Sequence, residues 1–144
     1  MQPLFYTLRY MQRIILHIDM DYFFAQIEEL KNERFRGKPL VIGSDPQEGK
    51  GRGVVSTANY LAREYGIHSA LPISRAYRLC PEAIFLPVNG ELYSEVSKRI
   101  FDTVREKVSI VEQVSLDEAY LDVSHLSWEE AEVLAKELKQ EIWN

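Results

Sequence analysis

The stretch SIVEQVSLDEAYLDVS, residues 109–124, sets two adjacent carboxylates, Asp117 and Glu118, between runs of strand-forming residues. Successive residues of a strand face opposite ways. Ala119, Leu121 and Val123 therefore share one face, and Glu118, Tyr120 and Asp122 the other. The first set suits packing beneath helices; the second suits an open, polar face. Residues 109–115 and 118–124 read as two strands joined by a tight turn, which brings Asp117 round beside Glu118. No Lys or Arg lies within four residues of either carboxylate.

The hairpin constrains the rest of the chain. RIILHID (13–19) reads as a buried strand that ends on Asp19. Asn89 caps a helix whose stripe is Leu92, Val96, Ile100 and Val104. Ser127 and Glu130 form a capping box. It opens a helix with a buried stripe of Trp128, Ala131, Leu134, Leu138 and Ile142. The order strand, helix, strand, strand, helix is a ferredoxin-like βαββα unit without its final strand.

Residues 23–87 fall between the first strand and its helix, as an inserted small α/β subdomain. Its expected elements are a helix over 21–32 with Asp21 as N-cap, a strand over 38–44, a mobile loop over 45–53 and a strand over 53–58. A helix closed by Gly66, a helix over 71–80 and a strand over 83–88 follow. The fold class is α+β. The domains are 1–22 with 88–144, and 23–87. Residues 1–10 form an extra N-terminal segment. In a 4-1-3-2 sheet the missing strand leaves the first strand's edge open, and LFYTLRY (4–10) has three readings: it fills that edge as a hairpin, it pairs with another chain, or it is a frayed terminus.

Charge limits the function. Residues 1–100 carry a net +2 and residues 101–144 a net −7, giving −5 over the 144 residues. That is not the profile of a self-sufficient nucleic-acid binder. No apolar run is long enough to span a bilayer, and no signal peptide is evident, so the expectation is a cytoplasmic protein with no membrane partner. One cysteine, Cys80, excludes an internal disulfide and a Cys-rich zinc site.

In this topology the first and third strands are neighbours, so Asp19 can lie across from the hairpin. Three carboxylates at one place repel strongly unless a cation joins them. All-oxygen ligands favour Mg²⁺ or Mn²⁺, and Mg²⁺ sites commonly share a phosphate-bearing substrate. A solvated turn is the commoner fate of a DE pair. The metal reading gains because three carboxylates fall at strand ends on one expected face. Asp122 lies roughly 13 Å along the strand from Glu118 and is excluded from the set.

HIDMDYFFAQIEE (17–29), VVSTANYLAREYGIHSALPI (54–73) and VSLDEAYLDVS (114–124) together resemble the Y-family, lesion-bypass DNA polymerases, the DinB branch in particular. The resemblance runs from about Met11 and covers that family's palm and fingers. It implies DNA-directed DNA polymerisation from a dNTP on primer–template DNA, with two Mg²⁺ ions for which Mn²⁺ can substitute. The metal ligands it implies are Asp19, Asp117, Glu118 and the backbone carbonyl of Met20. It places Thr57, Tyr60, Arg63 and the amides of Tyr22 and Phe23 on the triphosphate. Phe24 becomes a steric gate against a 2′-hydroxyl, and Val54 and Ser56 a roof over the incoming base. A sliding clamp is an implied partner only through C-terminal regions beyond this sequence. Thumb, little finger and a palm lysine are likewise outside it, which makes weak or no activity the expectation for these residues alone.

Other readings remain for single residues. Tyr60 and Arg63 could be a packed aromatic beside a solvated charge, and Phe24 a core ring. Two alternatives of other classes stand beside the polymerase: a non-catalytic fragment or paralogue acting through protein contacts, and a nucleotidyl cyclase. The retained carboxylates argue against the first, and the Phe24 block against the second.

Overall fold

A computed structural model describes residues 13–143. Its internal contacts divide the chain into two compact units: residues through Asp19 together with those from Lys98 onward, and Met20–Ser97.

The first unit is built on a three-stranded antiparallel sheet in the order β1-β6-β5, with β1 Ile15–Asp19, β5 Val111–Gln113 and β6 Glu118–Asp122. β1 and β6 pair in antiparallel register from Ile15 opposite Asp122 to Asp19 opposite Glu118. The two-residue period then sorts the sheet. Ala119, Leu121 and Val123 are fully buried, while Tyr120 and His17 are exposed on the other face. The buried face packs with Phe101, Val104 and Val108, and with Ala131 and Leu138 of α5 (Trp128–Trp143). Each large apolar side chain so buried contributes about 1.5–3 kcal/mol. The α5 cap is the expected box: the Ser127 amide donates to Glu130 at 2.7 Å, and the Glu130 amide to the Ser127 hydroxyl at 3.2 Å.

The ferredoxin-like arrangement is as expected, with two corrections to its helices. α4 (Gly90–Lys107) is capped by Asn89, whose side chain accepts from the Leu92 amide at 3.3 Å. Its buried line is Tyr93, Ser97, Phe101 and Val104, continuing to Val108 beyond its end, whereas Leu92, Val96 and Ile100 are only half-buried. The core-facing stripe is thus rotated toward residues with polar atoms. Trp128, placed in the α5 stripe from sequence, is 58% exposed. As the first residue of the helix it begins the turn before the apolar line meets the core.

The second unit carries a sheet in the order β3-β2-β4, with β2 Leu40–Gly43, β3 Val55–Ala58 and β4 Ile84–Leu86. β3 is antiparallel and β4 parallel to β2. β2 is central and buried at every position, which explains its unbroken apolar run. Around the sheet lie α1 (Phe23–Lys31), α2 (Tyr60–Glu64) and α3 (Ile73–Leu79). Gly66 ends α2 at φ +80°. Its amide donates to the Arg63 carbonyl at 2.8 Å and the Ile67 amide to that of Ala62 at 3.3 Å, the paired bonds of a Schellman stop.

Among the described residues β1 is an edge strand. The segment 4–10 expected to cover it lies outside the described residues. Among those described, no helix is long and apolar enough to cross a membrane.

Candidate active site

In the first unit, register decides which carboxylates meet. Asp19 sits directly opposite Glu118 on adjacent strands, a spacing that brings their side chains together on one face. The Glu118 carboxyl is held above its ordinary range. The main cause is the hydrogen bond it shares with Asp19; partial desolvation and the charges of Asp19 and Asp117 add to it, and His17 opposes them. Two acids crowded this way share a proton or call for a cation.

Asp117 lies beside them, but its carboxylate accepts from the Ser115 hydroxyl at 2.6 Å. Among the described residues no three His, Cys, Asp or Glu side chains are gathered closely enough to form a metal cage. The donor set nevertheless fits a hard divalent cation: it is all oxygen, it is acidic, and Asp19 faces Glu118 across the strand pair.

The neighbouring groups on this face are committed elsewhere. His17 and Tyr120 stack with ring centroids 4.7 Å apart. Asp122 pairs with Arg13 at 2.7 Å and accepts from the Ser124 hydroxyl at 2.5 Å. Those bonds, Ser124 first and then Arg13, lower its pKa to about 2.

In the second unit, one buried side chain organises the other candidates. Asn59, 2% exposed, is the N-cap of α2. Its carbonyl oxygen accepts from the Ala62 and Leu40 amides, both at 3.0 Å. Its amide donates to Glu29 at 2.6 Å and to the Lys38 carbonyl at 2.8 Å. The cap fixes the start of α2, and with it Tyr60 and Arg63. Arg63 donates from Nε to the Ala58 carbonyl at 2.9 Å and lies over the Tyr60 ring at 5.0 Å. Tyr22 meets the same ring edge-on at 5.2 Å.

Asp21 does not cap α1, contrary to expectation. The N-cap is Tyr22, in the left-handed region at φ 34°, with no side-chain cap bond. That conformation is costly for an aromatic residue. The Asp21 carboxylate instead accepts from the Tyr60 hydroxyl and faces Arg63 at 3.8 Å. This bond is the main reason the Tyr60 hydroxyl is raised above its ordinary pKa.

Phe24 is half-buried and stacked on Tyr93, centroids 4.3 Å apart and planes 13° from parallel. Tyr93 is fully buried and donates its hydroxyl to Glu28 at 2.9 Å. Phe23 belongs to the core, at 3% exposure. Thr57 lies in β3 opposite Ile42, Ser56 beside it is half-buried, and Val54 is 48% exposed. Met20 directly follows β1.

The structure therefore brings Asp19 to Glu118, and Tyr60 to Arg63. Sequence reading missed Asn59, Tyr93 and the true partners of Asp21. An Asn directly ahead of the helical run YLAREYG was the available signal for the first.

A ferredoxin-like sheet with paired acids on its open face, in one chain with a small α/β unit, is the architecture of a recognisable class. The chain is similar to DinB from Sulfolobus solfataricus (TM-score 0.81, 39% identity) and to an insertion ternary complex of Dbh DNA polymerase (TM-score 0.81, 40% identity). Each match covers 89% of this chain and 38% of the other.

Residues 18–144 match the model of the impB/mucB/samB family, and the chain belongs to that family. Among curated relatives, DNA polymerase IV of Streptococcus mutans is 50% identical over 133 residues, covering 91% of this chain. That of Methanoculleus marisnigri is 50% identical over 131 residues, covering 90%. The chain spans about 36% of the length of these relatives. The Y-family resemblance is borne out.

Proposed function

We propose that this chain carries the palm and fingers of a translesion DNA-directed DNA polymerase. Such an enzyme transfers a nucleotide from a dNTP to a primer 3′-hydroxyl in DNA-damage bypass, here in the cytoplasm. The observation that carries the reading is the register that sets Asp19 opposite Glu118, next to Asp117, on the polar face of the sheet. Family membership and the polymerase names of the relatives support it.

Asp19 and Asp117 would hold two Mg²⁺ ions, with Glu118 and the Met20 carbonyl each completing one of the two. Bound there, the ions would lower the primer hydroxyl's pKa and neutralise charge on the pyrophosphate. Tyr60, Arg63 and Thr57 take the triphosphate: Arg63 offers a planar fork suited to phosphate, and Tyr60 a hydroxyl donor. The Tyr22 and Phe23 amides open a helix with no side-chain cap and so add donors. Phe24, held flat against Tyr93, excludes a 2′-hydroxyl, and Val54 and Ser56 roof the base. A net charge of −5 gives this stretch little grip on DNA phosphates, so alone it extends a primer poorly or not at all.

Calorimetry with Mg²⁺ or Mn²⁺ and a dNTP tests the assignment. Metal binding tightened by nucleotide is expected in the wild type and lost in Asp117→Ala. Equal nucleotide-linked binding by both sinks the metal site and favours a non-catalytic role.

A further inference from the structure

The second unit holds a carboxylate that does no structural work evident at its own position. Asp21 precedes α1 without capping it. Its side chain goes to Tyr60 and Arg63, the two donors read above as triphosphate ligands. The cluster is open to solvent: Tyr60 is 54% exposed, and the Arg63 and Asp21 side chains are 41% and 53% exposed.

The two donors are positioned by other contacts. The Asn59 cap fixes the start of their helix, the Ala58 carbonyl holds Arg63 Nε, and Arg63 lies over the Tyr60 ring. Asp21 accepts the hydrogen bond of the Tyr60 hydroxyl and faces the Arg63 guanidinium, the groups an anionic ligand would use.

We propose that Asp21 is an anionic placeholder, a carboxylate that occupies Tyr60 and Arg63 until a polyphosphate displaces it. The inference rests on the triphosphate reading of those two residues. A ligand must break the Tyr60 bond and replace the Arg63 contact before gaining its own, so Asp21 weakens apparent affinity. A species with more charge and more acceptor oxygens competes better. The carboxylate thereby grades ligands by phosphate number and returns to its partners when a smaller anion leaves.

The sign of the effect separates this role from a structural one. If Asp21 merely positioned the donors, its removal would weaken anion binding; as a competitor, its removal tightens binding. Asp21→Asn keeps the shape and an acceptor for the Tyr60 hydroxyl but removes the charge. Asp21→Ala removes both.

The test is calorimetric titration of the chain with inorganic tripolyphosphate in the presence of a chelator, so that the carboxylate metal site is silent. Asp21→Asn and Asp21→Ala are expected to bind about two- to fivefold tighter than wild type, the scale of an exposed ion pair. The gap should narrow as salt rises. Equal or weaker binding by both variants overturns the placeholder. Arg63→Ala tests the reading beneath it: weaker binding is expected, and unchanged binding overturns the phosphate site itself.

Discussion

Replacing Asn59 by Ala removes four hydrogen bonds that converge on one buried side chain. Loss of the α2 cap costs about 1 kcal/mol. The Leu40 amide, buried beside it, is left without its acceptor at about 1–3 kcal/mol. Glu29 is half-buried and recovers water, so its share is small. The expected loss is about 2–4 kcal/mol in the second unit, a large part of a typical domain's roughly 5–15 kcal/mol.

Both tryptophans, Trp128 and Trp143, lie in the first unit, so tryptophan fluorescence is the wrong probe. Native-state amide exchange at Leu40 and Ala62 reads the affected unit directly. Asn59→Asp sharpens the test, because it keeps the acceptor for both amides but sets a carboxylate against Glu29. It should also destabilise at neutral pH, and adding Glu29→Gln should recover part of the loss. A loss under about 1 kcal/mol for Asn59→Ala refutes the cap-and-clamp reasoning, given the cost of orphaned buried donors. An Asn59→Asp variant as stable as wild type refutes the role of the side-chain amide.

Asp122 has a folded pKa of about 2, below that of an unfolded carboxylate. Its stabilisation is therefore present above the unfolded value and lost as pH falls through about 2. In acid unfolding, Asp122→Asn should be less stable than wild type near neutrality, and the gap should close at the acid end; a pH-independent gap contradicts this. Gly43→Ala would set a Cβ 2.6 Å from the Val54 carbonyl oxygen, so strain of about 1–3 kcal/mol should appear in denaturant unfolding of the second unit, and a neutral result would show that the β2–β3 bulge shifts freely. In a longer chain that extends primers, Phe24→Ala should raise ribonucleotide incorporation, measured against the matching dNTP; unchanged discrimination removes its gate role.

Legibility from sequence followed the period of each element. In β6 the alternation of Ala119, Leu121 and Val123 with Glu118, Tyr120 and Asp122 sorted every side chain correctly, because a strand has only two faces. The topology placed Asp19 across from the hairpin, and the register sets it opposite Glu118. Helices gave less. An apolar count along α4 selected Leu92, Val96 and Ile100, while the core took Tyr93 and Ser97, whose polar atoms disguised them. Tyr93 is tolerated because its hydroxyl reaches Glu28, 65 positions away. Asp21 shows the same limit. A local rule made it a cap, but its partner Tyr60 lies 39 positions on, and no short-range pattern records that distance.

The antiparallel pairing of β1 with β6 joins strands about a hundred residues apart, which has a consequence for synthesis. Met20–Ser97 is continuous and can fold as soon as it leaves the ribosome. β1, made first, must wait for β6, roughly 5–20 s at ordinary elongation rates. During that time the newborn strand has no sheet partner among the described residues, and its backbone is available to other chains. Asp19 thus acquires its facing carboxylate only near the end of this stretch of translation, so the proposed catalytic pair is among the last native features to form.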